Sequence, residues 1–503
     1  YYAQSPLLAS LRGLVPQPED GVRHLLCGQL ITALDQYYAH LPQKKAGFAI
    51  DPVRQLMLLQ GADGRDFLRS LLRVISGLRD RHTTLMLGQP WTTLVAYVPF
   101  VLERFYENGQ PRYVLTKQLF GFEDLPVGTE VTHWNGTPVE RYVQGLAAEN
   151  QGANAGARVQ LAVSNLSVRP LAYMPMPQED WVTLSYLDAS GTARAVSTPW
   201  RFFTTQGAAA SGGSVSRGGV LLGLDEMTQV TNEFRNNTQT RSNLTSLSLT
   251  VEGYVRYGEL STDGGKAGYV RITSFDVPDA DAFIARMEQI LAGLPQDRLI
   301  IDVRNNPGGL IPAGQRLVRL LTRKPLTHSP IAFRNTAATL NLCKVRPDWF
   351  GPWLPSLQMQ LQTGEQYSQA LPIVPVTDSS TYRYPGKVVL IIDGLCYSTT
   401  DFFTADFKDN GVGTVIGVDA STGGGGANVV GWNVIAQALG ASGPGPMPLG
   451  YNFNVSLRRS LRTGAAQGIP VEDLGVAADV RYRMTRADVL ENNRDLLAFA
   501  CTV

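Results

Sequence analysis

The sequence predicts an α/β core with a mainly parallel sheet, preceded by a helical N-terminal region and a β-rich module. Residues 298–304 and 387–392 are apolar runs rich in β-branched side chains, as in strands buried on both faces. Amphipathic helices are predicted at residues 280–291 and 311–321, and another buried strand at residues 413–418. This alternation is typical of a parallel sheet covered by helices, which binds ligands at the carboxyl ends of its strands.

Length and charge narrow the classes of protein. The chain has 503 residues and a formal net charge of +1, and this length predicts about three domains. There is no run of basic residues and no aromatic-basic stripe, which argues against nucleic acid as a partner. No apolar run reaches the ~18 residues of a membrane-spanning helix, so we expect no membrane span.

Two observations fit a secreted or extracytoplasmic protein. The chain begins at Tyr1, as after removal of a signal peptide or after trimming. It also contains N-x-S/T sequons, at Asn135, Asn165, Asn236, Asn243 and Asn454.

The cysteines argue against a zinc site. They are widely spaced and form no C-x-x-C pair, and they stand at Cys27, Cys343, Cys396 and Cys501. Their disulfide state stays open. We expect neither a metal nor another cofactor.

Four regions are predicted along the chain. They are a helical region at 1–95, a β-rich domain at 96–205, a flexible loop with connecting strands at 206–266, and the α/β core at 267–503. The polar stretches 206–219 and 228–242 are expected to be a solvated linker or a segment that restrains the site until it is cut.

The β-rich region is predicted from short strand patterns. Residues 100–106 and 112–119 are expected to form a hairpin, and Asn135-Gly136 a tight turn before a helix at 139–149. Further strands are predicted at 158–163 and 181–187. Such a module can bind extended peptide at an open sheet edge, and a plain β-rich linker domain is the alternative.

Ser398 is the candidate nucleophile. It follows the buried strand 387–392 and precedes a predicted helix, so the turn would expose its hydroxyl beside the helix's first N–H groups. The alternative is that Ser398 or Thr399 only caps the helix. Cys396 is a weaker candidate, since a buried cysteine at a strand end is commonly a structural residue.

A serine nucleophile needs a base, a group that orients the base, and donors for the oxyanion. His82 is the one histidine in a polar loop context. The backbone N–H groups of Gly308, Gly309 and Thr399 could stabilise an oxyanion, although a plain turn explains the glycines equally well. Downstream, Glu472 and Asp473 are both candidate carboxylates, and their spacing does not choose between them. Asp302 and Asp401 are interpreted as structural.

Four motifs together resemble the C-terminal processing peptidase and tricorn family of serine proteases. They are LIIDVRNNPGG (299–309), CYSTTDFFTADFKDNGVGTVIG (396–417), LRDRHT (78–83) and PVEDLGVAAD (470–479). Residues 125–143 loosely resemble the PDZ domain of that family. The order of the motifs is most similar to that of the chlamydial protease-like activity factor group.

The resemblance implies a ClpP/crotonase-like core, an inserted PDZ-like domain, and a serine endopeptidase acting on extended or unfolded polypeptides. It implies Ser398 as nucleophile, His82 as general base, Glu472 as its orienting partner, and oxyanion donors from Gly308 or Gly309 and Thr399. The lysine of the serine–lysine branch is missing from residues 422–428. A homodimer stays open, and the alternative function is a catalytically silent ligand- or peptide-binding protein on the same scaffold.

Overall fold

A computed structural model describes most of the chain. The described residues are 4–13, 17–62, 64–119, 125–204, 249–373, 380–427 and 429–503. The polar stretches 206–219 and 228–242 lie outside them, so the prediction of a linker or a restraining segment stays a prediction. No helix in the described part is both long and apolar enough to cross a membrane.

A seven-stranded mixed sheet forms the centre of the core. Its strands, in spatial order, are Thr250–Glu252, Val255–Thr262, Gly265–Ile272, Arg298–Asp302, Lys387–Ile392, Thr414–Gly417 and Val480–Arg481. The first three pair antiparallel, and every pair from Gly265–Ile272 onward is parallel. The predicted α/β core with a mainly parallel sheet is therefore confirmed.

Helices cover both faces of this sheet. Successive residues of a strand point to opposite faces, so Leu299 and Ile301 pack on one face and Ile300 on the other. The first face carries the helices Ala280–Gly293, Ile311–Leu320 and Thr399–Asp409, and the second carries the C-terminal helix Arg494–Thr502.

The N-terminal region is helical, as predicted, with helices at Asp20–Gln36, Leu41–Phe48, Pro52–Gln60 and Phe67–Ser76. Its buried side chains share one core with distant elements. Those elements include Ile331–Phe333, Ala337–Val345, Pro347–Phe350, Leu354–Thr363, Val429–Gly431, Trp432–Leu439 and Asn452–Ser456. The strand Thr84–Met86 pairs with Asn452–Ser456, which fixes the segment just before it.

The region between the N-terminal helices and the α/β core is rich in strands. The predicted hairpin forms from Phe100–Glu107 and Gln110–Gln118. Around it lie the helix Val139–Ala148 and the strands Leu94–Tyr97, Val131–Trp134, Thr137–Pro138, Val168–Pro170, Trp181–Leu187, Ala193–Pro199 and Arg201–Thr204.

One predicted strand in this region is wrong. Residues 158–163 lie in the helix Ala155–Asn165. The alternating apolar residues suggested a strand, but Asn154 accepts a hydrogen bond from the Ala157 N–H and caps a helix.

Several shorter elements complete the described part. They are the strand Arg458–Ser460, which pairs with Ile331–Phe333, the helix Arg486–Leu490 and a number of short 3-10 helices.

Candidate active site

Ser398 lies at the turn between the strand Lys387–Ile392 and the helix Thr399–Asp409. It is the residue before the helix, yet its side chain makes no capping hydrogen bond. Its backbone has φ +57° and ψ −121°, a strained conformation for a residue with a side chain. The hydroxyl is half-buried and bonded to nothing in the described part of the chain. Strain without capping is typical of a functional position rather than of a helix cap.

Gly308 packs directly against the Ser398 turn. A Cβ on Gly308 would lie 2.6 Å from the Ser398 Cβ and 2.8 Å from the Thr399 nitrogen, and its φ is +105°. Only glycine allows this approach. The Gly308 N–H donates to Oδ1 of Asn306 at 2.9 Å, so this amide is already occupied.

The N–H groups of Gly309 and Thr399 are free to bind an anion. Phe275 bonds the neighbours of Gly309, donating to the Gly308 carbonyl at 2.7 Å and accepting from the Leu310 N–H at 2.8 Å. The Gly309 carbonyl accepts the Thr399 hydroxyl at 2.5 Å. Within the described residues, no acceptor bonds either N–H.

Asp401 holds the glycine run (residues 423–426) beside the serine. Its carboxylate accepts hydrogen bonds from the Thr422 hydroxyl at 2.5 Å and from the Gly424 and Gly425 N–H groups at 3.2 and 3.0 Å. Burial raises the pKa of Asp401 to about 6, against the effect of these hydrogen bonds. The Ser398 N–H in turn donates to the Gly425 carbonyl at 3.1 Å. Asp401 is therefore structural, as the sequence predicts.

His82 lies against the same glycine run. A Cβ on Gly425 would lie 2.7 Å from its Nδ1. The ring is fully buried, and neither of its nitrogens has a hydrogen-bond partner in the described part of the structure. Burial lowers the pKa of His82 to about 4, although Asp80 raises it in part. The imidazole is therefore neutral at pH 7 and can accept a proton.

Asp80 fixes the histidine loop, residues 78–83. Its Oδ1 accepts the His82 backbone N–H at 2.8 Å, and its Oδ2 accepts the hydroxyls of Thr83 at 2.7 Å and Ser456 at 3.0 Å. Burial alone would raise the pKa of Asp80, but Lys44 and the nearby histidines outweigh it and lower the pKa to about 2.

Glu472 is buried near this loop, but no hydrogen bond joins it to His82. Its Oε1 accepts from Nζ of Lys44 at 2.8 Å, and its Oε2 lies 3.7 Å from Nε2 of His40. Burial and then Asp80 raise the pKa of Glu472 well above its ordinary value, and Lys44 opposes them. Asp473 contacts Lys44 and Gln43 instead.

The sequence profile of Peptidase family S41 matches residues 266–432, which include Gly309 and Ser398. This match covers about a third of the chain and supports a serine peptidase. This confirms the resemblance to C-terminal processing and tricorn peptidases. His82 and Glu472 lie outside the matched range.

Solved structures share the fold of this chain. The crystal structure of mature CPAF aligns with 96% of this chain and 97% of its own length, at a TM-score of 0.70 and 18% identity. The structure of mature CPAF complexed with lactacystin aligns over 96% and 98%, at a TM-score of 0.69 and 17% identity. The TM-scores show a common fold, at a low sequence identity. No curated protein matches the sequence.

Cys396 and Asp302, the other polar residues singled out in the α/β core, have surroundings that fit a structural role. Cys396 is buried, its thiol contacts the Val303 carbonyl, and burial raises its pKa well above the ordinary value, so it does not suit a nucleophile. Asp302 is buried against Arg271 and Arg304. All four cysteines are free.

Sequence reasoning missed His40, Lys44 and Asp80. His40 stands in no polar loop motif, yet it is fully buried beside Glu472. Only Asp80 left a usable signal, since it stands two residues before His82. Lys44 belongs to the pair Lys44-Lys45, a pattern that is typical of solvent-exposed residues.

His40, Asp80 and Glu472 also offer ligand atoms within 4.8 Å of one another, the spacing of a metal site. The hydrogen bonds disfavour a metal ion there. Glu472 Oε1 already binds the Lys44 ammonium, and Asp80 uses both of its oxygens. A second cation beside a buried ammonium is electrostatically unfavourable. The absence of a metal stays a prediction.

Proposed function

We propose that this chain is a secreted serine endopeptidase that hydrolyses extended or unfolded polypeptides through an acyl-enzyme intermediate. The observation that carries the proposal is the strained backbone of Ser398, whose side chain caps nothing and whose N–H bonds Gly425, the glycine that packs against the buried, neutral His82. The N–H groups of Gly309 and Thr399 are unpaired among the described residues. These are the parts that acyl transfer from a serine requires.

The reaction assigns one step to each group. His82 takes the proton of the Ser398 hydroxyl as the oxygen attacks the substrate carbonyl carbon. The N–H groups of Gly309 and Thr399 stabilise the oxyanion, and the loss of one such donor costs about 10²–10³ in rate. Protonated His82 then gives its proton to the leaving amine, and water, activated by His82, hydrolyses the ester.

Glu472 completes the proposed triad by orienting His82. Three observations support it. Its Oε2 is buried and has no hydrogen-bond partner among the described residues. It lies in the cluster of Asp80, which holds the His82 backbone. Val471 packs on Gly426, next to the glycine that touches His82. Catalytic hydrogen bonds are often long in unliganded enzymes and shorten when substrate binds.

The β-rich region is proposed to be a PDZ-like domain that helps to bind substrate. Its four-stranded sheet ends in Ala193–Pro199, which pairs among the described strands with Trp181–Leu187 alone. An extended polypeptide could add to the other side through backbone hydrogen bonds. Side-chain specificity would then come from the core.

The test is Ser398→Ala, assayed on an unfolded protein substrate. We expect hydrolysis to be abolished, together with labelling by a fluorophosphonate probe, while the circular dichroism spectrum is unchanged. Ser261→Ala, on an exposed strand, is the control and should keep both.

Full cleavage by Ser398→Ala would contradict the assignment. His82→Ala and Glu472→Gln should also lose activity, and Asp473→Asn should lose less. A wild-type chain that neither cleaves nor labels would favour the silent binding protein.

A further inference from the structure

Lys44 is a cation enclosed by the protein. It lies on the helix Leu41–Phe48, and its side chain is fully buried. Its ammonium donates to three acceptors: the Arg79 carbonyl at 2.9 Å, Oε1 of Glu472 at 2.8 Å and Oδ1 of Asp473 at 2.5 Å. An ammonium has three N–H donors, so its hydrogen-bonding capacity is filled.

The three acceptors belong to two separate loops. Arg79 is part of the histidine loop, whereas Glu472 and Asp473 belong to the carboxylate loop, residues 470–477. Lys44 and Glu472 are 428 residues apart in sequence. No other described side chain is seen to donate to both loops, so Lys44 links the loop of the proposed base to the loop of its proposed partner.

Gln43, the residue before Lys44 on the same helix, strengthens this link. Gln43 donates to the Glu472 carbonyl at 3.2 Å and to Oδ2 of Asp473 at 2.6 Å. Asp473 has a left-handed backbone with φ +69°, which is unfavourable for a residue with a side chain. Two adjacent residues of one helix therefore hold the carboxylate loop in a conformation that it would not adopt freely.

Burial of this charge is costly, and the site offsets it. Removing an ammonium from water costs several kcal/mol even after relaxation. Burial alone would lower the pKa of Lys44, but Glu472, Asp473 and Asp80 outweigh it and raise the pKa. Lys44 is therefore charged at neutral pH. Its charge faces Asp80, Glu472, Asp473 and His40, all of which border the proposed site.

We propose that Lys44 is a positioning residue of the peptidase site, which fixes Glu472 and the histidine loop relative to each other. It touches neither Ser398 nor substrate and acts through Glu472. The inference rests on the proposed roles of Ser398, His82 and Glu472, and it assigns Lys44 no part in proton transfer.

The experiment is a double-mutant cycle of Lys44→Met and Glu472→Gln, with kcat and KM measured per folded molecule. Lys44→Met should lower kcat by about 10²-fold with little change in KM, since a misplaced supporting group costs about that much. If Lys44 acts through Glu472, the double variant should have the kcat of Glu472→Gln alone. Lys45 lies on the same helix as Lys44 and pairs with Asp51 at the surface, so Lys45→Met is the control and should keep the wild-type kcat.

The cycle stays decisive if Lys44→Met does not fold. The double variant removes Lys44 together with the fully buried carboxylate of Glu472, while Asp473 keeps its hydrogen bond from Gln43, so its kcat can be compared with that of Glu472→Gln. A further drop of tenfold or more in the double variant, or a wild-type kcat in folded Lys44→Met, overturns the inference. An active Ser398→Ala variant overturns the proposed function instead, so the two failures are distinguishable.

Discussion

Gly425 joins the proposed nucleophile to the proposed base. Its carbonyl accepts the Ser398 N–H at 3.1 Å, and a Cβ added to it would lie 2.6 Å from the Tyr397 ring and 2.7 Å from the His82 ring. Gly425→Ala is therefore expected to displace His82 from Ser398 without straining its own backbone. We expect kcat to fall by about 10²-fold, because misplacement of a reacting group by ~1 Å has an effect of that size.

The measurement is kcat and KM on a peptide substrate, with thermal unfolding of each variant. Gly293→Ala is the control, because a Cβ there meets nothing within 4 Å. Equal activity of Gly425→Ala and wild type would show that His82 does not need its present position.

Single residues differ in how well the sequence predicts them. Ser398 and His82 are candidates from the sequence because each stands in a local pattern, a strand followed by a helix or a polar loop after a helix. Lys44 and His40 have no such pattern, and their surroundings come from segments far away in the chain. Local sequence therefore offers candidates for the reactive groups, whereas their partners depend on the completed fold.

At the scale of elements, Asn154 connects the helix Ala155–Asn165 to the start of the glycine run. Its side-chain oxygen caps the helix, while Nδ2 donates to the carbonyls of Thr422 at 2.7 Å and Gly423 at 3.2 Å. Asn154→Ala should lower the unfolding free energy by about 1–2 kcal/mol through the lost cap. It should also lower kcat, by up to about 10²-fold, because the glycine run loses an anchor.

Thr485→Ala separates the two effects. Thr485 caps the helix Arg486–Leu490 through a capping box, and none of its bonds reaches the site. Its loss should cost about 1 kcal/mol in urea unfolding and leave kcat unchanged. If both variants lost stability equally and neither lost activity, Asn154 would be a helix cap and nothing more.

Elements with a strong period were predictable, and this includes the buried strands, the N-terminal helices and the hairpin Phe100–Glu107/Gln110–Gln118. The helix Ala155–Asn165 was missed because Val159, Leu161 and Val163 alternate as in a strand. In the fold, this segment is helical because its cap at Asn154 and its contacts with the neighbouring helix Val139–Ala148 favour it. Tertiary packing overrode the local pattern.

At the scale of the whole molecule, the proposed site is assembled from three regions. The α/β core supplies Ser398 and the proposed oxyanion donors, the N-terminal region supplies His82 and Lys44, and the β-rich region anchors the glycine run through Asn154. The N-terminal helices also share a hydrophobic core with residues 331–357 and 430–457. Since neither part buries its apolar surface alone, we expect the site to form only as the chain completes its fold.

The buried histidines make the stability of the whole molecule sensitive to acid. Burial lowers the pKa of His40 to about 3 from the ordinary 6.5, although Asp80 opposes it. In the unfolded chain this histidine binds a proton below about pH 6.5, whereas in the folded chain it binds one only below about pH 3. Stability is therefore lost as pH falls through this window, by about 1.4 kcal/mol per pH unit from His40.

His40→Gln removes this proton uptake. Urea unfolding at pH 7, 6 and 5 should show a shallower fall in the variant, while His24→Gln, at an exposed position, should follow the wild type. Parallel curves for wild type and His40→Gln would mean that His40 binds its proton equally in both states.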